Sequence, residues 1–216
     1  KDYVNILKDP ELFVAHTTIY DPQLIILSYP TPRNHKLIGF LSSQPEYLLI
    51  HLDDTFAVWA RGEAREQATK KGLALSRFAA TPNITQTIRG TVDDELASQL
   101  ERVAESSDTR FAHILYAEFW WRFAQDEQSD SQSDLEKVIH HANKALSESP
   151  SETFVRIRRG QAMLRIGDAW KAWPDLLYTQ APHTPASMKK DLSQALETLP
   201  APLVRAFVQP LLTKPD

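Results

Sequence analysis

The sequence predicts an α+β protein, a small N-terminal module containing strands followed by a longer helical module. Three observations predict it. Within the first 62 residues four short apolar runs, at 24–27, 36–41, 47–52 and 56–60, are separated by breakers, the spacing of strands joined as a meander or as hairpins. From Glu63 onward the chain is rich in Ala, Lys, Arg, Gln and Glu, which are good helix formers. Glycine is scarce at 6 of 216 residues, against a usual share of roughly 7%. That scarcity disfavours folds built on phosphate loops or many tight turns.

Taking the elements in order, Pro30, Pro32 and Asn34 punctuate the gap after the first strand run, residues 42–45 the second gap and Asp53-Asp54 the third. Residues 63–80 read as one helix with Leu73 and Phe78 among its apolar members. The stretch 81–91 holds Pro82 and the sequon-like Asn83-Ile84-Thr85 and reads as a linker, so the expected domains are 1–82 and 91–216. Thr91 with Asp94 caps a helix to about 105, and 110–125 forms a helix apolar around much of its circumference through Phe111, Ile114, Leu115, Phe119, Trp121 and Phe123. Ser133 with Glu136 makes a capping box before Leu135, Val138, Ile139, Ala142 and Leu146. Further helices are expected at 151–166, 168–179, 185–199 and 202–212. Pro174 either sits in the first turn of a late-starting helix or kinks one near Trp173.

The stretch 150–176 carries the most information. Gly160 and Ala162 are small residues inside one helix, suited to a close helix crossing. Ile166-Gly167-Asp168 is a stop, turn and restart, and Ala172 is the small residue of the next helix. With Thr153 as its first residue, the pattern Gly160, Ala162, Gly167, Asp168, Ala172 and Leu176 resembles a tetratricopeptide repeat. The helices at 110–125 and 134–149 resemble a second, degenerate unit, with Ala145 and Pro150 at the closing positions and a long 126–134 loop. The likeness spans roughly 111–182. Flanking helices are expected to complete the stack, because such arrays need about three units. Phe56, Arg61, Gly62 and Ala64 repeat the spacing of Phe154, Arg159, Gly160 and Ala162. Two readings of the region 56–80 therefore stand, a strand followed by a helix, or a further repeat.

Composition removes several classes of function. There is no cysteine, hence no disulfide, thiol nucleophile or thiolate metal site. A net charge of −4 and a pI of about 6.0 argue against nucleic acid as a partner. No run approaches the roughly 20 apolar residues of a membrane span, so no membrane insertion is expected. The chain opens on Lys1 with no apolar leader, and the expected location is cytoplasmic. Neither a metal nor any other cofactor is expected: histidines are scattered, and His140 and His141 point about 100° apart on a helix. No phosphate loop, nucleophile elbow or paired-carboxylate motif occurs, and Asp93-Asp94-Glu95 reads as helix-dipole charge.

The 151–171 hairpin is locally basic through Arg156, Arg158, Arg159, Arg165 and Lys171. The repeat resemblance implies a concave groove lined by the first helix of each unit, with Arg158, Gln161 and Arg165 facing it. Some members of that family hold a partner's terminal carboxylate there. Phe154 stands where that clamp needs a lysine, so the implied partner is an acidic peptide or protein, or the chain's own acidic loop at 126–134. Trp120, beside Trp121, invites an interface role because aromatics anchor contacts. The expected partner-binding set is thus Arg156, Arg158, Gln161, Arg165 and Trp120. The expected function is a protein–protein adaptor or complex subunit and not an enzyme, and Arg158→Glu is expected to weaken binding without unfolding the chain. Two alternatives stand beside it. One is an enzyme-like N-terminal module using a cluster of His51, Asp53, Asp54 and Arg61. The other is a purely structural subunit.

Overall fold

A computed structural model describes residues 6–28, 31–81, 87–125 and 131–178 of the chain. The fold is α+β, with a three-stranded antiparallel sheet preceding a series of helices. The chain divides into two compact units, Lys1–Leu115 and Tyr116–Asp216, further along than the composition change at 82–91. Among the described residues no helix is long and apolar enough to cross a membrane.

In the first unit, helix α1 (Pro10–Tyr20) is capped by Asp9, whose carboxylate accepts from the Glu11 amide at 3.0 Å. Strands β1 (Leu24–Ser28), β2 (Leu48–Leu52) and β3 (Phe56–Ala60) follow, in the sheet order β1-β3-β2. Leu24 pairs with Ala60 and Ser28 with Phe56 across β1 and β3. The β2–β3 register shifts by a bulge between Leu49 and His51. The sequence expected residues 36–41 to be a strand, and this is corrected: they lie in helix α2 (His35–Ser43), whose Leu37, Ile38 and Leu41 are almost fully buried. Topology gives the reason. β1 and β2 both run antiparallel to the β3 between them, so they are parallel to each other, and parallel strands need a crossover rather than a hairpin. Apolar positions 37, 38 and 41 then share one helical face.

The expected helix over 63–80 is also corrected. Helix α3 (Gly62–Lys70) ends early, and Gly72 turns the chain at φ +66°. Beyond it the chain turns at 75–78, where the Phe78 N–H donates to Leu75 O at 3.1 Å, and is held to its neighbours: Leu75 N–H donates to Leu49 O at 2.8 Å, Ala79 N–H to Thr87 O at 2.8 Å, and Phe78 bridges Ile88. The end of the expected linker is therefore packed, with Thr87 and Ile88 buried. Because 56–60 is a paired strand and 62–70 a single helix, the strand-plus-helix reading of this region holds.

Helix α4 (Asp94–Ser106) buries Leu96, Gln99, Leu100 and Val103, the i, i+3, i+4, i+7 face. Its cap is Asp93 rather than Thr91: Asp93 Oδ1 accepts from the Leu96 amide at 2.9 Å, while Arg77 Nη1 donates to Oδ2 at 2.6 Å. The Leu96 amide first and Arg77 next hold the Asp93 carboxyl below its usual value. Helix α5 (Thr109–Phe123) runs across the division between the units.

In the second unit, helices α6 (Ser131–Glu148), α7 (Thr153–Arg165) and α8 (Ala169–Tyr178) follow, and α7 packs against both α6 and α8. Helix α6 starts at Ser131, two residues before the expected capping box. Its buried Leu135 and Val138 pack with Ala124 and Ala162. The expected helices at 185–199 and 202–212 lie outside the described residues.

Candidate interaction surface

The α7–α8 hairpin is set by two glycines. Gly167, at φ +88°, ends α7: its N–H donates to Leu164 O at 3.0 Å and the Asp168 N–H to Met163 O at 2.8 Å. These two bonds form the Schellman pattern, which satisfies carbonyls that would otherwise be orphaned. Gly160 is the close crossing. A Cβ there would stand 2.9 Å from Leu176 Cδ2 of α8. Pro174 lies inside α8, so the first-turn alternative is excluded, and the Trp170 carbonyl lacks the N–H that position 174 would supply.

That crossing brings the α7 arginines to buried carboxylates. Asp175, 1% exposed, receives Arg159 through two bonds, Nε to Oδ2 at 2.6 Å and Nη2 to Oδ1 at 2.7 Å, and Arg156 Nη1 at 3.0 Å. Glu118 on α5, also 1% exposed, receives Arg158 Nε on Oε2 and Arg122 Nε on Oε1, each at 2.8 Å. Arg158 Nη1 further donates to Gln161 Oε1 at 3.0 Å, and its guanidinium lies 5.1 Å from the Phe154 ring centre and 5.2 Å from that of Trp121. Charges removed from water need such pairing, and bidentate arginine–carboxylate geometry supplies it strongly.

The sequence-selected residues therefore separate into two groups. Arg156, Arg158 and Gln161 are tied to groups inside the unit, Arg158 and Gln161 being buried. Arg158, which the repeat resemblance implies faces a groove, is held by Glu118 and is 9% exposed. Arg165 is exposed, its guanidinium 5.8 Å from the Trp121 ring centre. Trp120 is partly buried against Ala124, Leu135 and Val138, with Lys137 Nζ 3.7 Å from its ring centre. Lys137 is held there by the buried Asp134, at 2.9 Å. Trp170, by contrast, is 80% exposed at the start of α8, and its neighbour Lys171 pairs with Asp168 at 2.6 Å. That pairing holds the Asp168 carboxyl below its usual value.

Sequence reasoning missed Glu118 and Asp175. The available signal is that Glu118 is the lone carboxylate in the apolar helix 109–123, where an unpaired charge would be costly.

Of the four residues of the enzyme alternative, Asp54 lies half-buried in the turn between β2 and β3. His51 Nε2 meets Asp53 Oδ2 at 2.9 Å at the β2–β3 turn. Asp53 Oδ1 closes that turn by accepting from the Thr55 and Phe56 amides at 2.7 and 2.6 Å. Burial pushes the Asp53 carboxyl up, but the Phe56 amide, His51 and the Thr55 amide outweigh it, and the net direction is down. Arg61 follows the far end of β3, where it pairs with Asp21 at 3.2 Å. The structure thus joins His51 to Asp53 and leaves Arg61 apart. Among the described residues no group of three His, Asp or Glu side chains is placed to hold a metal ion. In comparisons with known proteins, no family model, curated protein or solved structure matches the chain.

Proposed function

We propose that the protein is an interaction subunit of tetratricopeptide-like type, and that its contact surface is the exposed end of the α7–α8 hairpin rather than the row of α7 arginines. The observation that carries this is Trp170, 80% exposed immediately beyond the Gly167 turn. A large aromatic ring left in water is unfavourable, and tryptophan and arginine are the side chains most enriched among energetic anchors of interfaces. Arg165 and Lys171 flank it in sequence and are exposed. The surface suits a partner with an apolar pocket for the indole and an acidic group for Arg165, Lys171 being already paired with Asp168.

Co-purification from cell extract, read by mass spectrometry, tests this with the wild-type chain, Trp170→Ala and Arg165→Glu. The expected result is a protein retained by wild type and lost with Trp170→Ala, at unchanged far-ultraviolet circular dichroism. An identical retained set for wild type and both variants would overturn the surface. Such a result would leave the structural-subunit reading, which the internal pairing of Arg156, Arg158 and Arg159 favours.

A further inference from the structure

The first unit contains a feature independent of the α7–α8 surface. Helix α2 presents His35, Gly39 and Ser42 toward a cleft of about 350 Å³, which residues 79–81 and Arg89 also line. Positions 35, 39 and 42 fall on one side of a helix. A second cavity of about 120 Å³ adjoins the cleft, sharing Ser42 and Arg89 in its wall and adding Trp59 of β3 together with Leu49 and Phe78. The face of α2 at Gly39 is bare: a Cβ added there would meet nothing within 4 Å.

Polar groups that would ordinarily be satisfied are left over here. His35 Nε2, Ser42 Oγ and Trp59 Nε1 are shielded from solvent and have no hydrogen-bond partner. Buried polar atoms almost always find partners, and a buried indole N–H in particular does. Trp59 is 1% exposed. The three atoms come from the start of α2, the end of α2 and the middle strand, and each of the three residues lines one or both cavities. Among the described residues the Arg89 side chain makes no hydrogen bond or ion pair, and no aspartate or glutamate lines either cavity. The indole and the guanidinium are donor-only groups.

We propose that the paired cavities bind a small organic anion, a carboxylate or phosphate monoester carried on a compact apolar body. The Arg89 fork takes the anionic group, with the Ser42 hydroxyl and His35 Nε2 beside it. The Trp59 N–H donates from the smaller cavity. The apolar body lies in the open space over Gly39, against Ile38 and Ala79. A volume near 350 Å³ stands at the lower end of the roughly 300–1,000 Å³ of small-molecule sites, which limits the ligand to a compact one. A cationic ligand would meet donors and a guanidinium with no carboxylate to receive it.

The full chain, labelled with nitrogen-15, is titrated with benzoate, phenyl phosphate and benzylamine while the indole N–H signal of Trp59 is followed by NMR; its disappearance in Trp59→Phe assigns it. Benzoate or phenyl phosphate is expected to move that signal and raise the melting midpoint, the tighter of the two identifying carboxylate or phosphate as the natural group. Benzylamine is expected to leave it in place. Arg89→Gln should weaken anion binding roughly tenfold or more, as loss of a charge-assisted fork implies. Gly39→Leu should abolish it by filling the open space without touching a polar group. Circular dichroism reports whether Gly39→Leu folds, and if it does not, Arg89→Gln alone decides. No movement of the indole signal with either anion, equal movement with benzylamine, or anion affinity unchanged in Arg89→Gln would each overturn the site.

Discussion

Glu118, almost wholly out of solvent, accepts the buried Arg158 on one carboxylate oxygen and the partly exposed Arg122 on the other, both at 2.8 Å. Removing one partner of a buried pair leaves an uncompensated charge and costs about 3–5 kcal/mol, more than the pair adds over an apolar replacement. Arg158→Glu, which also sets two carboxylates against each other, is therefore expected to lose at least that range in a urea unfolding titration. This reverses the earlier expectation of an intact fold. Asp53 gives a pH prediction. Its carboxyl is lowered in the folded state, so as pH falls through about 4 the unfolded chain takes up the proton first. The stabilisation is present above that pH and is lost below it. Asp53→Asn keeps an oxygen for the Thr55 and Phe56 amides but cannot titrate. The gap between its urea midpoints at neutral pH and at about pH 3 should be smaller than for wild type. Asp93 and Asp168 are shifted in the same direction, so the variant should flatten the acid limb without abolishing it.

Among the elements, α8 carries an evident defect: Pro174 interrupts its hydrogen-bond ladder while its ring is exposed. An interior proline costs about 3 kcal/mol relative to alanine in a helix. Pro174→Ala should accordingly raise the melting midpoint, and no change would mean that the backbone has already adapted around the ring. Elements differ in how legible they are from the sequence. Helix α4 is readable from Leu96, Leu100 and Val103, and the α7–α8 turn from Gly167-Asp168, because the signals are local and periodic. Helix α2 is not, since a six-residue apolar run suits a strand or a helix equally well and the choice is made by the parallel arrangement of β1 and β2, which no local window contains. The candidate surface divides in the same way. The arginines of α7 stand out in the sequence, but Glu118 is some forty positions away, and its pairing decides which of them reaches solvent. Trp170 was visible as a residue, but not as an exposed one.

The molecule as a whole comprises two compact units, and the buried ion pairs of Glu118 and Asp175 belong to the second. Destabilisation caused there should be regional. In Glu118→Gln, native-state hydrogen exchange is expected to accelerate in α7 while the amides of β3 around Trp59 keep their protection. Equal loss in both would show that the chain opens as one cooperative block. The contact between Gly160 and Leu176, where even a methyl group would come to 2.9 Å, has a consequence for descent. The two positions share one small volume, so sequences diverging from a common ancestor with this one should trade bulk between them. Alanine or serine at 160 should accompany a shorter side chain at 176, and neither position should drift alone. Such paired drift would leave, in the amino-acid record, an imprint of how closely these two helices approach.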